Sequence, residues 1–175
     1  MFFDGEIMER EGVLGTARRM CTAARTAPKA RGTDAIVTAV LTGEDRMALA
    51  GAMERHGQEQ QLGFFHRDAE NLLLAEAVVL IGVKNIPRNL SFCGYCGFPD
   101  CSACLEAGGI CAHSMADLGI AVGSAVSVAS SDRVDNRVFF SAGKTALAEK
   151  VLGDGVVAVY AIPLSATSKN IFFDR

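Results

Sequence analysis

The chain has 175 residues, of which half are hydrophobic and 21% are charged, and its formal net charge is −3. Such a composition is typical of a globular protein, and we expect one domain over residues 1–175 with its own hydrophobic core. Proteins that bind nucleic acid carry concentrated positive charge, and a net negative charge gives no indication of this. The longest apolar run, at 77–83, is far shorter than the roughly 20 residues of a membrane span. We therefore expect neither a nucleic-acid partner nor a membrane segment.

Helices and short strands alternate along the chain. Apolar residues at helical spacing predict a first helix from Gly12 to about Thr26, and β-branched runs predict three strands. Because helices alternate with apolar strands, we expect an α+β fold (α/β layered), with helices covering a central sheet. The strands are predicted at 35–41, 77–83 and 156–162, and the further helices at about 42–56, 67–76, 113–130 and 145–152.

The predicted helix at 113–130 carries an apolar stripe that we expect to face the core. Gly119 and Gly123 have no side chain, so they would allow another element to approach this helix closely. The stripe consists of Met115, Leu118, Val122, Ala125 and Val128.

The sequence around Gly143 and Lys144 superficially resembles a phosphate-binding loop. That motif requires a glycine five residues before the Gly-Lys pair, and Val138 stands there. We therefore expect Gly143 to begin a helix rather than to bind phosphate.

Five of the six cysteines fall in one short stretch, spaced Cys93-x2-Cys96-x4-Cys101-x2-Cys104-x6-Cys111. Thiolates at this density repel one another and oxidise unless something binds them, and soft thiolates select iron–sulfur clusters and zinc. Disulfides are typical of short secreted chains, whereas the N-terminus shows no signal-peptide pattern. We therefore expect bound thiolates in a reducing cytoplasm. The sixth cysteine, Cys21, lies on the apolar stripe of the first helix and is expected in the core.

Three ligand arrangements fit this spacing. In the first, Cys93, Cys96, Cys101 and Cys111 hold a [4Fe–4S] cluster. In the second, Cys96, Cys101 and Cys104 have plant-type [2Fe–2S] spacing, and Cys93 or Cys111 completes the site. In the third, four of the five hold zinc. We favour a cluster over zinc, because zinc sites usually pair two CxxC motifs across a longer spacer. Between the two cluster arrangements we favour the first, with Cys104 as the alternative ligand. Free redox thiols are a further alternative.

The charges near the cysteines favour a low reduction potential. Asp100 and Glu106 lie within the cysteine-rich segment, and carboxylates close to an anionic cluster oppose the addition of an electron. His113 follows Cys111 by two residues and is expected at a helix N-terminus. From there it could donate a hydrogen bond to a cluster sulfur or be a ligand itself.

Two resemblances add to this interpretation. The run from Cys93 to Cys101 (Cys-Gly-Tyr-Cys-Gly-Phe-Pro-Asp-Cys) resembles the CxxCGxxxC signature of small [4Fe–4S] domains, although the nine residues before Cys111 are a shorter gap than is usual there. This implies that residues 88–112 form a ferredoxin-like segment inserted within the domain. The whole chain resembles an uncharacterised prokaryotic family described as ferredoxin-domain-containing, on the stretches 117–121, 134–137 and 162–175.

A fainter similarity is to flavin-dependent nitroreductases, on the stretch 24–28 (Ala-Arg-Thr-Ala-Pro), the strands at 77–83 and 156–162, and the helix containing Asp117. That family implies a central sheet covered by helices, a homodimer, and FMN at the subunit interface. Its arginines near both termini imply that Arg18, Arg25, Arg31 or Arg175 contacts a flavin phosphate. The basic Arg-Ser start of the family's phosphate site is absent here.

Three functions follow as hypotheses. The first is an iron–sulfur protein in electron transfer or another redox reaction, with an unidentified redox partner. The second is a scaffold or interaction protein that zinc or a cluster stabilises, without catalysis. The third is a flavin-assisted, nitroreductase-like reductase. If the chain is an enzyme, we expect an oxidoreductase.

Overall fold

A computed structural model, which describes residues 1–173, contains a four-stranded antiparallel sheet. Its order is β1-β2-β4-β3, so the two longest strands lie in the middle. In the register, Ile36 lies opposite Val83, and Ala77 lies opposite Leu164. The strands are β1 (Ile36–Leu41), β2 (Ala77–Lys84), β3 (Asp135–Asn136) and β4 (Val156–Ser165).

Six α-helices and a 3-10 turn at Ala30–Gly32 surround this sheet within the described residues. The first helix begins before the predicted Gly12, because Asp4 is its N-cap and accepts a hydrogen bond from the Glu6 backbone N–H at 2.9 Å. The helices are α1 (Gly5–Thr26), α2 (Gly43–Glu59), α3 (Gly63–Leu74), α4 (Cys101–Glu106), α5 (Ala112–Ser131) and α6 (Phe140–Ala148).

Helices cover both faces of the sheet, and each face has its own apolar core. Successive residues of a strand point to opposite faces. Val79, Ile81 and Val83 of β2 accordingly pack with α1 and α5, whereas Val78 and Leu80 pack with α2, α3 and α6. All of β2 except Lys84 is buried, as its unbroken apolar run predicts. The predicted layering of helices on a central sheet is therefore confirmed.

The outer side of α5 differs from the prediction. Leu118 and Ala125 are fully buried, but Met115 is 37% exposed. Apart from the chain neighbours and the backbone of α5 itself, no atom of the described chain lies within 4 Å of a Cβ built on Gly119 or Gly123, so no other described element packs closely there. Within residues 1–173, α5 is the helix with the length and hydropathy of a membrane span. Its buried residues pack against α1 and β2, as in a core helix.

Gly143 lies inside α6, not at its start. A Cβ built on Gly143 would lie 2.2 Å from the carbonyl oxygen of Val159 in β4. This glycine is therefore required because the helix and strand backbones touch. This close approach, and not phosphate binding, accounts for the glycine at position 143.

Candidate metal centre

The cysteine-rich segment connects the end of β2 to the start of α5, and its two ends are tied together. The Asn85 side chain accepts a hydrogen bond from the Cys111 backbone N–H at 3.0 Å and donates one to the Gly109 carbonyl at 2.8 Å. Between these ends the backbone turns through Gly94 and Gly97, whose φ angles are +65° and +84°. The segment folds back on itself and gathers its cysteines near the N-terminus of α5.

Four cysteines line one cavity of about 130 Å³: Cys93, Cys96, Cys101 and Cys111. They are the set that the first arrangement predicts as cluster ligands. The remaining wall is both apolar and polar, and it includes Phe98, Arg88 and His113.

Cys104 does not line this cavity and is 3% exposed. It lines a void of about 10 Å³ together with Cys96, Cys101 and Cys111. Burial raises the pKa of the Cys104 thiol, and the neighbouring Cys96 raises it further. A void of this size holds at most about one water molecule. Cys104 therefore packs directly beside the other thiols, and the void between them is too small for a larger group.

Gly109 allows Cys104 to pack in this position. A Cβ at Gly109 would lie 2.9 Å from the Cys104 Sγ, and the Gly109 N–H donates to the Cys104 carbonyl at 2.7 Å. The segment therefore closes tightly behind α4, with a glycine where a side chain would collide with the buried thiol.

Cys111 occupies the N-cap position of α5 and has a polar environment. Burial opposes ionisation of its thiol, but the nearby backbone N–H groups of Arg88, His113 and Ser114 and the Arg88 charge favour the thiolate. Together these lower the pKa of Cys111. The thiolate is the form of cysteine that binds metals.

His113 lies beside Cys93. Its Nε2 is 3.6 Å from the Cys93 Sγ, and its ring stacks on Tyr95 with the centroids 5.6 Å apart. The sequence prediction placed His113 at a helix N-terminus, and α5 begins one residue before it. The histidine thus lines the cavity between Cys93 and Tyr95.

Arg88 is the residue of this site that the sequence did not reveal. It is 2% exposed and pairs with Asp117, also buried, at 2.7 Å between Nη2 and Oδ2. Its Nη1 donates to the Ile86 carbonyl. Its Nε is buried and has no hydrogen-bond partner. The one available signal was an arginine placed directly between an apolar strand and a cysteine-rich segment.

The donors around the cavity fit an iron–sulfur cluster. Four thiols line a cavity of about 130 Å³, and the buried Arg88, whose Nε has no partner in the described chain, is among the other residues that line it. A buried cation favours an anionic group such as a thiolate-bound cluster. Within residues 1–173, no group of three or more His, Cys, Asp or Glu side chains is arranged to hold a single metal ion.

Two of the four arginines expected at a flavin phosphate have partners within the described chain. Arg25 pairs with Asp34, and Arg31 donates to the carbonyls of Arg88 at 2.9 Å and Asn89 at 3.2 Å. Arg31 thus holds the start of the cysteine-rich segment. Arg18 is exposed on α1, and Arg175 lies outside the described residues.

A relative matches the chain along its whole length. An uncharacterized protein of Archaeoglobus fulgidus is 37% identical over 185 residues, covering 100% of this chain and 98% of the relative. The family model described as "Uncharacterized protein containing a ferredoxin domain (DUF2148)" matches residues 107–175. The chain belongs to this family. The matched region of the family model includes Cys111 and α5, and the other four clustered cysteines precede it.

Solved structures show that this family member has a nitroreductase-like fold. A structure described as an oxidoreductase containing FMN has a TM-score of 0.59 and 11% identity, covering 91% of this chain and 70% of that chain. A nitroreductase with bound FMN from Desulfitobacterium hafniense has a TM-score of 0.58 and 16% identity, with 89% and 78% covered. The NfnB nitroreductase of Mycobacterium smegmatis, solved with NADPH, has a TM-score of 0.57 and 16% identity, with the same coverage. At these identities the likeness shows the fold alone.

Proposed function

We propose that this protein binds an iron–sulfur cluster, with Cys93, Cys96, Cys101 and Cys111 as ligands, and acts in electron transfer or another redox reaction. The cavity of about 130 Å³ that these four cysteines line is the observation that carries the proposal. The ferredoxin domain in the family's description supports it. A [4Fe–4S] cluster suits four thiolate ligands.

The chain's own residues prepare this cavity in three ways. Asn85 fixes the position of Cys111. The N–H groups at the start of α5 favour its thiolate. Pro87 and Leu105 pack against Cys96, Cys101 and Cys111 around the small void beside Cys104. A bound cluster would supply one-electron redox chemistry.

Metal and acid-labile sulfide analysis of protein purified without oxygen tests the proposal. We expect stoichiometric iron and sulfide, a brown colour, and bleaching of the visible absorbance on reduction. We propose a reducing cytoplasm as the location, because thiols there stay available as ligands. A colourless protein with one zinc per chain would contradict the proposal and support the scaffold function instead.

A flavin-assisted reductase is the second candidate, and the fold favours it. The three neighbours described above are named for FMN or for FMN-dependent activity. In this candidate Arg18, Arg25, Arg31 or Arg175 contacts the flavin phosphate, and FMN lies at the interface of a homodimer. The exposed face of α5 suits such an interface, since Ala116, Gly119, Ile120 and Gly123 place no charge on it.

FMN titration of the cluster-containing protein tests this candidate. We expect saturable quenching of flavin fluorescence and a chain that sediments as a dimer. The Arg18→Ala variant is expected to weaken binding, because an arginine that contacts a phosphate makes strong charge-assisted hydrogen bonds. Arg10→Ala, an exposed arginine of α1 paired with Glu76, is the control. No quenching at flavin concentrations well above micromolar would exclude the candidate.

A further inference from the structure

Arg88 brings a buried positive charge to the cysteine cavity. Arg88 lines the same cavity as Cys93, Cys96 and Cys101, and its charge and its backbone N–H both favour the Cys111 thiolate. The Nε–H is buried without an acceptor in the described chain. A buried donor without a partner is costly, so an acceptor at this point is expected.

Asp117 holds this guanidinium in place from the side of α5. The carboxylate is 3% exposed, accepts from Arg88 Nη2 at 2.7 Å, and accepts from the Ala30 backbone N–H at 3.0 Å. Both charges of the pair are removed from water, so solvent screens them little. By contrast, Asp100 and Glu106, on which the sequence prediction of a low potential depends, are exposed.

We propose that Arg88 and Asp117 set the reduction potential of the cluster in opposite directions, with Arg88 raising it and Asp117 lowering it. This inference rests on the proposed function. Reduction adds one electron to the cluster and breaks no bond, so the only change to be stabilised is one further negative charge. A buried cation and an N–H donor stabilise that charge, and a buried carboxylate behind the cation opposes it.

Two variants test the proposal by the sign of their effect. The Asp117→Asn variant leaves the Arg88 charge uncompensated, and its midpoint potential is expected to become more positive. The double variant Arg88→Met, Asp117→Asn removes the cation and the donor without leaving a buried carboxylate, and its potential is expected to become more negative. We expect each change to alter the equilibrium constant of one-electron reduction at least tenfold, which is about 59 mV.

The measurement is a spectroelectrochemical titration with dithionite and viologen mediators, alongside iron and sulfide content and thermal unfolding. Arg46→Lys is the matched control, because Arg46 also has a buried, unpartnered Nε but binds the carbonyls at the end of α3. Its potential should equal that of the unmodified protein.

Shifts of the same sign in both variants, or no shift at full cluster content, would overturn the inference while leaving the proposed function standing. An unmodified protein without iron and sulfide would overturn both. If the double variant fails to fold, the Asp117→Asn variant alone tests the inference. A midpoint potential of Asp117→Asn that stays the same or falls would contradict the proposed role of Asp117.

Discussion

The Cys93→Ser variant is expected to lose its iron and sulfide, whereas the Cys104→Ser variant is expected to keep both. Cys93 lines the cavity of about 130 Å³, and Cys104 lies outside it beside a void of about 10 Å³. A serine hydroxyl is a much poorer ligand than a thiolate for a cluster, because soft iron–sulfur centres select sulfur donors. Iron and sulfide per chain after anaerobic purification, with the visible spectrum, measure the difference.

The same pair of variants discriminates between the ligand sets. Cys104 is a matched control, since it is in the same segment and touches the same thiols. Retention of the cluster by Cys93→Ser and its loss in Cys104→Ser would show that Cys96, Cys101, Cys104 and Cys111 are the ligands. Cys21→Ser, on the core side of α1, is expected to keep the cluster in either case.

The Gly143→Ala variant is expected to be the most destabilising single-methyl change in this protein. The added Cβ would lie 2.2 Å from the Val159 carbonyl oxygen, and that strand cannot yield freely because Val159 pairs with Gly82 of β2. We expect a loss of about 3 kcal/mol or more in the free energy of unfolding, at the upper end for overpacked cores. Equilibrium denaturation in urea measures it.

Gly119→Ala provides the control for this prediction. Gly119 is also inside a helix, but nothing lies within 4 Å of its Cβ, so alanine there is expected to stabilise α5 by about 0.5–1 kcal/mol. A Gly143→Ala variant that unfolds at the same urea concentration as the unmodified protein would show that α6 and β4 are not in backbone contact.

Patterns that depend on neighbouring residues were predictable from the sequence. The unbroken apolar run of β2 indicated a strand buried on both faces, and the helix that became α5 was located within about one residue at each end. Contacts between distant segments were not. Met115 fits the apolar stripe of α5 by spacing alone, but the stripe is wider than the surface that α1 and the sheet cover, so Met115 stays exposed.

The sequence by itself determined the family's layered architecture and the presence of five clustered thiols, because periodicity and composition are local properties. Only the tertiary structure placed four of those thiols around one cavity and Cys104 beside it, since the order of cysteines does not fix the path of the turns between them. It also brought Asp117, 29 residues away in the chain, to Arg88. A buried ion pair of this kind forms only where two elements meet, and no spacing rule in the sequence encodes it.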